Sequence, residues 1–150
     1  MVTDDEHELE EFCRRWKKDV FTFCWALLGD AAAAEEATCE AFAALRRRPV
    51  VRMNDLEASS RLLGSALRAT EKSRNGSSPS SRATSRLEDA IRRLPRLERA
   101  VVIMRNLLHM EWPPLARAVD LSPPEAHEAW VRGILQLNEI LQRSATKERR

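Results

Sequence analysis

The sequence predicts an all-α protein made of two small helical modules joined by a flexible linker. Three observations carry that expectation. Apolar residues recur at three- and four-residue steps through most of the 150-residue chain, the period of a helix with one buried face. Glycine, proline, serine and aspartate fall where those periodic stretches stop and restart. Between them lies SRNGSSPSSRATS, residues 73–85, which holds too little apolar area to order itself and reads as a linker. The expected boundaries are a first module over 1–76, a linker over 77–84 and a second module over 85–150.

In the first module the spacing of Leu9, Phe12, Trp16, Val20, Phe23 and Leu27 predicts a helix over 7–28, stopped by Gly29. Asp30 then caps a second helix, 30–48, with acids towards its N-terminal half and Arg46, Arg47 and Arg48 at its end, a polarity that suits the helix dipole. Pro49 stops it. Ala34, Ala37, Ala41 and Leu45 form its narrow buried stripe, leaving Glu36, Cys39 and Glu40 on another face. A third helix over about 55–74, capped by Asn54, shows a weaker stripe through Leu56, Leu63, Ala66 and Leu67.

The second module opens with Ser85-Arg-Leu-Glu88, a capping box, and a helix to about residue 94. Pro95 begins the next helix, whose apolar run AVVIM continues to Leu108. Pro113 and Pro114 open a short helix. Ser122-Pro-Pro-Glu125 is a second capping box and launches a helix to about Gln142, leaving SATKERR as a frayed tail. Short helix, turn, longer helix is the layout of a helix-turn-helix, which other helical hairpins share.

Charge is unevenly spread. Residues 1–45 carry a balance of −7, residues 46–86 one of +7 and the rest +2. A basic middle follows nucleic-acid phosphate or merely solvates helix ends and a linker; charge alone leaves both open. The odd, unpaired Cys13, Cys24 and Cys39 read as reduced thiols, with Cys13 and Cys24 filling core gaps. No apolar run approaches a membrane span and no basic-then-apolar start is present, so a cytoplasmic protein without membrane insertion is expected. No metal spacing, nucleophile–base arrangement or phosphate loop is visible. His109 and His127 read as lone residues, so the chain is expected to be neither an enzyme nor cofactor-dependent.

Two stretches resemble one family. GDAAAAEEATCEAF, Gly29 to Phe42, resembles the "GD…AED…QE.F" pattern of region 2 in bacterial extracytoplasmic-function (ECF) sigma factors of the sigma-70 family. Leu94 to Leu137 resembles their region 4, beginning "LP..eR.v". The resemblance implies a transcription initiation subunit that binds the clamp helices of core RNA polymerase, engages promoter DNA and answers to an anti-sigma factor. Carried over residue by residue, it implies polymerase contacts at Glu36, Cys39 and Glu40. It implies DNA contacts at Arg46, Arg47, Arg48, Arg52, Arg68, Arg74, Arg117, His127 and Arg132.

The sequence also departs from that pattern. Cys39 stands where the family has Gln, Leu62-Leu63 replaces Trp-Leu, and Ala69 replaces Asn. In the last helix the family's "tVKSR" reads Glu125-Ala126-His127-Glu128-Ala129, so His127 and Ala129 occupy two cation positions. DNA affinity comes chiefly from cations on phosphate, which predicts weak DNA binding. Three readings follow: an ECF sigma factor, a sigma-like regulator that keeps protein-binding surfaces without normal promoter recognition, and an unrelated helical interaction module.

Overall fold

Gly29 sets the first corner. Its φ of 73° is the left-handed conformation that ends a helix, and its N–H donates to the Trp25 carbonyl at 2.7 Å. Asp30 follows at once, its Oδ1 accepting from the Ala32 N–H at 3.3 Å. These residues join α1 (Asp4–Leu28) to α2 (Ala31–Arg47). The computed structural model describes residues 4–47, 55–74 and 86–148. Within them the chain is all-α: α3 (Asp55–Arg74), α4 (Arg86–Arg92), α5 (Arg96–Val102), a π-helical segment (Ile103–Leu107), α6 (Trp112–Ala118) and α7 (Pro123–Glu148). Asn54, Ser85 and the residues of the expected 77–84 linker lie outside the described residues.

The expected stripe of α2 is buried throughout: Ala34, Ala37, Ala41 and Leu45 face α1 and α3. Small side chains let the helices approach closely. On α1, Phe12, Val20, Phe23, Cys24 and Leu27 are buried, while Leu9, Trp16 and Trp25 pack at the margin of the core. Cys13 is half-buried instead of filling a core gap.

Helix α3 departs most from its expected pattern. Leu56 is exposed, whereas Leu62, Leu63, Ala58, Ala66 and Ala69 are buried. The cause is that α3 is covered from two directions, by α1 and α2 on one side and by α6 on the other. Its buried arc therefore takes in Ser59, Ser60 and Thr70, which read as polar in sequence. Their hydroxyls donate back to carbonyls one turn earlier: Ser59 and Ser60 to Leu56, at 3.0 and 2.8 Å, and Thr70 to Leu67 at 2.6 Å. The hydroxyls are thereby satisfied inside the helix, and the face behaves as a small, nearly apolar one. Ser60 also reaches the Pro114 carbonyl at 3.0 Å.

Sequence periodicity left open whether the two halves touch. They share one apolar cluster in which Phe23, Leu62 and Leu63 join Leu94, Ile103, Met104 and Leu115. Arg99, at 7% exposure, fastens the junction. Its guanidinium donates to the carbonyls of Arg92, of Leu94 at 2.9 Å, and of Leu27 at 3.4 Å. One cation thus serves orphan carbonyls at the ends of α4 and α1, where helix dipoles favour positive charge. Arg99 is also the Arg of the "LP..eR" pattern.

Two further sequence expectations change. The helix expected to run unbroken to Leu108 is α-helical only to Val102; the π-helical segment ends with the Leu108 N–H bonded to the Ile103 carbonyl at 3.2 Å. His109 then takes a φ of 55° and closes the turn, which gives this histidine a backbone role, since His tolerates the left-handed region better than most residues. Helix α7 runs to Glu148, beyond the expected stop near Gln142. An Arg143–Glu139 pair at 2.6 Å and a Thr146 hydroxyl on the Gln142 carbonyl at 3.0 Å hold that extension.

Candidate functional site

The acidic face of α2 is built as its spacing predicted. Glu36 and Cys39 point to solvent, while Glu40 is partly covered and meets Lys72 of α3 at 3.1 Å. The Cys39 thiol is exposed; Cys24, sealed in the core, is not available for chemistry. Burial pushes the Cys24 thiol up to about 11, a shift only partly offset by the Thr38 hydroxyl.

Arg46 and Arg47 stand exposed in the last turn of α2. Arg46 approaches Cys13, whose thiol is nonetheless pushed up, because burial outweighs the arginine's charge and hydrogen bond. Arg48 and Arg52 lie outside the described residues, as does the side chain of Arg74, the last residue of α3. Arg47 and Arg68 come together across a cleft between α2 and α3, with Arg61 and Ser65 completing its charged rim. Sequence reasoning passed over Arg61 and Ser65. Their signal was the spacing of Arg61, Ser65 and Arg68, four and three residues apart on one stripe of α3.

The α6–α7 corner has the geometry of a helix-turn-helix. Asp120, at φ 58°, closes α6: its N–H donates to the Arg117 carbonyl at 3.3 Å and the Leu121 N–H to the Ala116 carbonyl at 2.9 Å. This is a Schellman turn with Asp where Gly is usual. Ser122 then makes a reciprocal capping box, its N–H donating to Glu125 Oε1 at 3.1 Å and its Oγ accepting from the Glu125 N–H at 3.3 Å. Those two bonds hold the Glu125 carboxyl below the usual carboxylate range.

The side chains expected to meet DNA are already engaged. Arg117 faces Glu57 of α3 at 3.7 Å, and Arg132 faces Glu98 of α5 at 3.3 Å. His127 is ringed by tryptophans, its centroid 5.1 Å from Trp112 and 5.8 Å from Trp130. Trp130 Nε1–H donates to Asn106 at 3.0 Å, and the Arg105 guanidinium lies 4.7 Å above Trp112 while donating to the Met110 carbonyl. Ala129, aligned by sequence with a DNA-facing cation, is wholly buried together with Ala126. That alignment of side chains is corrected by the fold: α7 turns Ala126, Ala129 and Gly133 towards α5 and α6, and Glu125, His127, Glu128 and Arg132 towards solvent.

Among the described residues no three His, Cys, Asp or Glu side chains gather as they would around a metal ion. No described helix is long and apolar enough to cross a membrane. Compared with protein-family models and with curated proteins, the chain matches neither a family model nor a curated relative.

Proposed function

We propose that this chain is a sigma-type transcription initiation subunit that binds core RNA polymerase through the Glu36, Cys39 and Glu40 face of α2 and meets promoter DNA through α6 and α7. The observation that carries the reading is the α6–α7 corner, a Schellman turn followed by a reciprocal capping box, which presents the first turns of a long helix to solvent. The solvent-facing acids of α2, left outside the helix packing, support the polymerase surface. The experiment is capture of the full chain by purified core polymerase, followed separately by promoter-dependent transcription. Glu36→Lys with Glu40→Lys is expected to abolish capture while leaving helicity intact, since the exposed Glu40–Lys72 pair contributes at most about 1 kcal/mol. Normal capture by that variant would move the surface elsewhere.

A second reading has its own observation. Arg117 and Arg132 are paired with carboxylates of the same chain, and α6 lies against α3. This arrangement favours a sigma-like regulator that binds polymerase or an anti-sigma factor without reading a promoter. Capture without transcription from any promoter would select it.

A further inference from the structure

We infer that the cleft between α2 and α3 is a binding site for a phosphate-bearing anion, gripped by Arg47, Arg61 and Arg68. The cleft measures about 570 Å³, with Leu45 of α2 in its lining and Ser65 of α3 between the two α3 arginines. That volume lies inside the range of roughly 300–1,000 Å³ typical of small-ligand sites.

The charge arrangement is what separates this place from the rest of the surface. Elsewhere the chain neutralises its cations: Arg96 meets Glu71, Arg117 meets Glu57, Arg132 meets Glu98 and Lys72 meets Glu40. Among the described residues Arg47 and Arg61 meet no carboxylate, and the partner of Arg68 is the Ser65 hydroxyl at 3.3 Å. A cation near a helix C-terminus is explained by the helix dipole, and Arg47 occupies such a place. Arg61 and Arg68 do not, because both lie in the interior of α3.

Like charges around one hollow repel each other, and a polyanion between them reverses the sign of that interaction. Guanidinium forks match pairs of phosphate oxygens, and the Ser65 hydroxyl adds a neutral donor. The cleft is built this way whatever the chain's protein partner, so the inference does not rest on the polymerase reading. Two sources carry the chemistry: a free oligophosphate and the backbone of a nucleic-acid strand.

The test uses the full chain at low salt, titrated by calorimetry with inorganic tripolyphosphate and separately with a short oligothymidylate. The unmodified protein is expected to bind at least one probe. Arg61→Gln and Arg68→Gln should each weaken binding by roughly tenfold or more, and the double variant should abolish it, as expected for lost charge-assisted bonds. Arg143→Gln, on the far end of α7, should leave binding unchanged, and melting midpoints should hold because these arginines are exposed. Tripolyphosphate binding assigns the site to a free ligand; binding of the oligothymidylate alone assigns it to a strand. Binding of neither probe, or equal binding by the double variant, overturns the site.

Discussion

The buried guanidinium of Arg99 donates a hydrogen bond to the carbonyl of Leu27, 3.4 Å away and 72 residues earlier in the chain. Together with its bonds to Arg92 and Leu94, this makes one side chain the tie between α1, α4 and α5. Arg99→Ala is expected to destabilise the protein by about 3–5 kcal/mol, because it leaves several buried carbonyls without donors. Arg99→Lys should recover only part of the loss, since an ammonium lacks the planar fork that serves several acceptors at once. Urea denaturation of both variants checks this; equal stability of Lys and Arg would mean that charge alone matters here.

Glycines mark the two closest helix approaches. A Cβ on Gly64 would stand 3.2 Å from the Ala118 carbonyl, and one on Gly133 would stand 2.7 Å from Val102 Cγ2. Gly64→Leu should lever α6 away from α3 at a cost of about 1–3 kcal/mol, raising the radius measured by small-angle scattering. Gly133→Ala should destabilise by about 1 kcal/mol, overpacking outweighing the helix-propensity gain, with no change of radius. An unchanged radius in Gly64→Leu would show that α6 can yield without the halves separating.

The cysteines should react in order of exposure. A thiol reagent is expected to label Cys39 first, Cys13 more slowly and Cys24 only after unfolding. Cys24 also gives a pH dependence. Its thiol is raised from 9.0 to about 11 in the folded state, so the associated stability is complete below the unfolded value and is lost as pH rises from about 9 to 11. Cys24→Ala should remove that alkaline slope. Persistence of the slope in the variant would assign it to another group.

Duplex DNA binding should be weak and shallow in salt. With Arg117 and Arg132 paired internally, a log–log salt slope near about −3 is expected, in line with few phosphate contacts. Glu128, in the first turns of α7 and exposed, is the position to change. Glu128→Lys replaces a repulsive group with a charge-assisted contact of about 1.5–3 kcal/mol and should tighten binding roughly tenfold or more. Anisotropy titrations across a salt series measure both quantities. Tight, sequence-selective binding by the unmodified chain would show that the internal pairs of Arg117 and Arg132 open readily.

What the sequence made legible was local. The Ala34, Ala37, Ala41, Leu45 stripe, the Gly29–Asp30 corner and the Ser122–Glu125 box depend on residues within a turn or two of each other, and each stands as its spacing required. Helix α3 was misjudged because burial on two sides widens the apolar arc, and back-bonded hydroxyls conceal that Ser59, Ser60 and Thr70 belong to it. Ala129 was misplaced because a motif aligns letters and not helix faces; Ala126, Ala129 and Gly133 form the inward row. Of the candidate site, the acidic face was readable from α2 alone. The arginine cleft was only half readable, because it exists only where α2 meets α3.

The small, hydroxyl-lined side of α3 has a consequence for synthesis on the ribosome. Ser60 finds its Pro114 partner 54 residues later, so at about 5–20 residues per second that side stays bare for roughly 3–11 seconds. A row of leucines there would be an invitation to misassembly with other nascent chains. Serine and threonine, each already bonded to its own helix, keep the waiting surface quiet until α6 arrives to cover it.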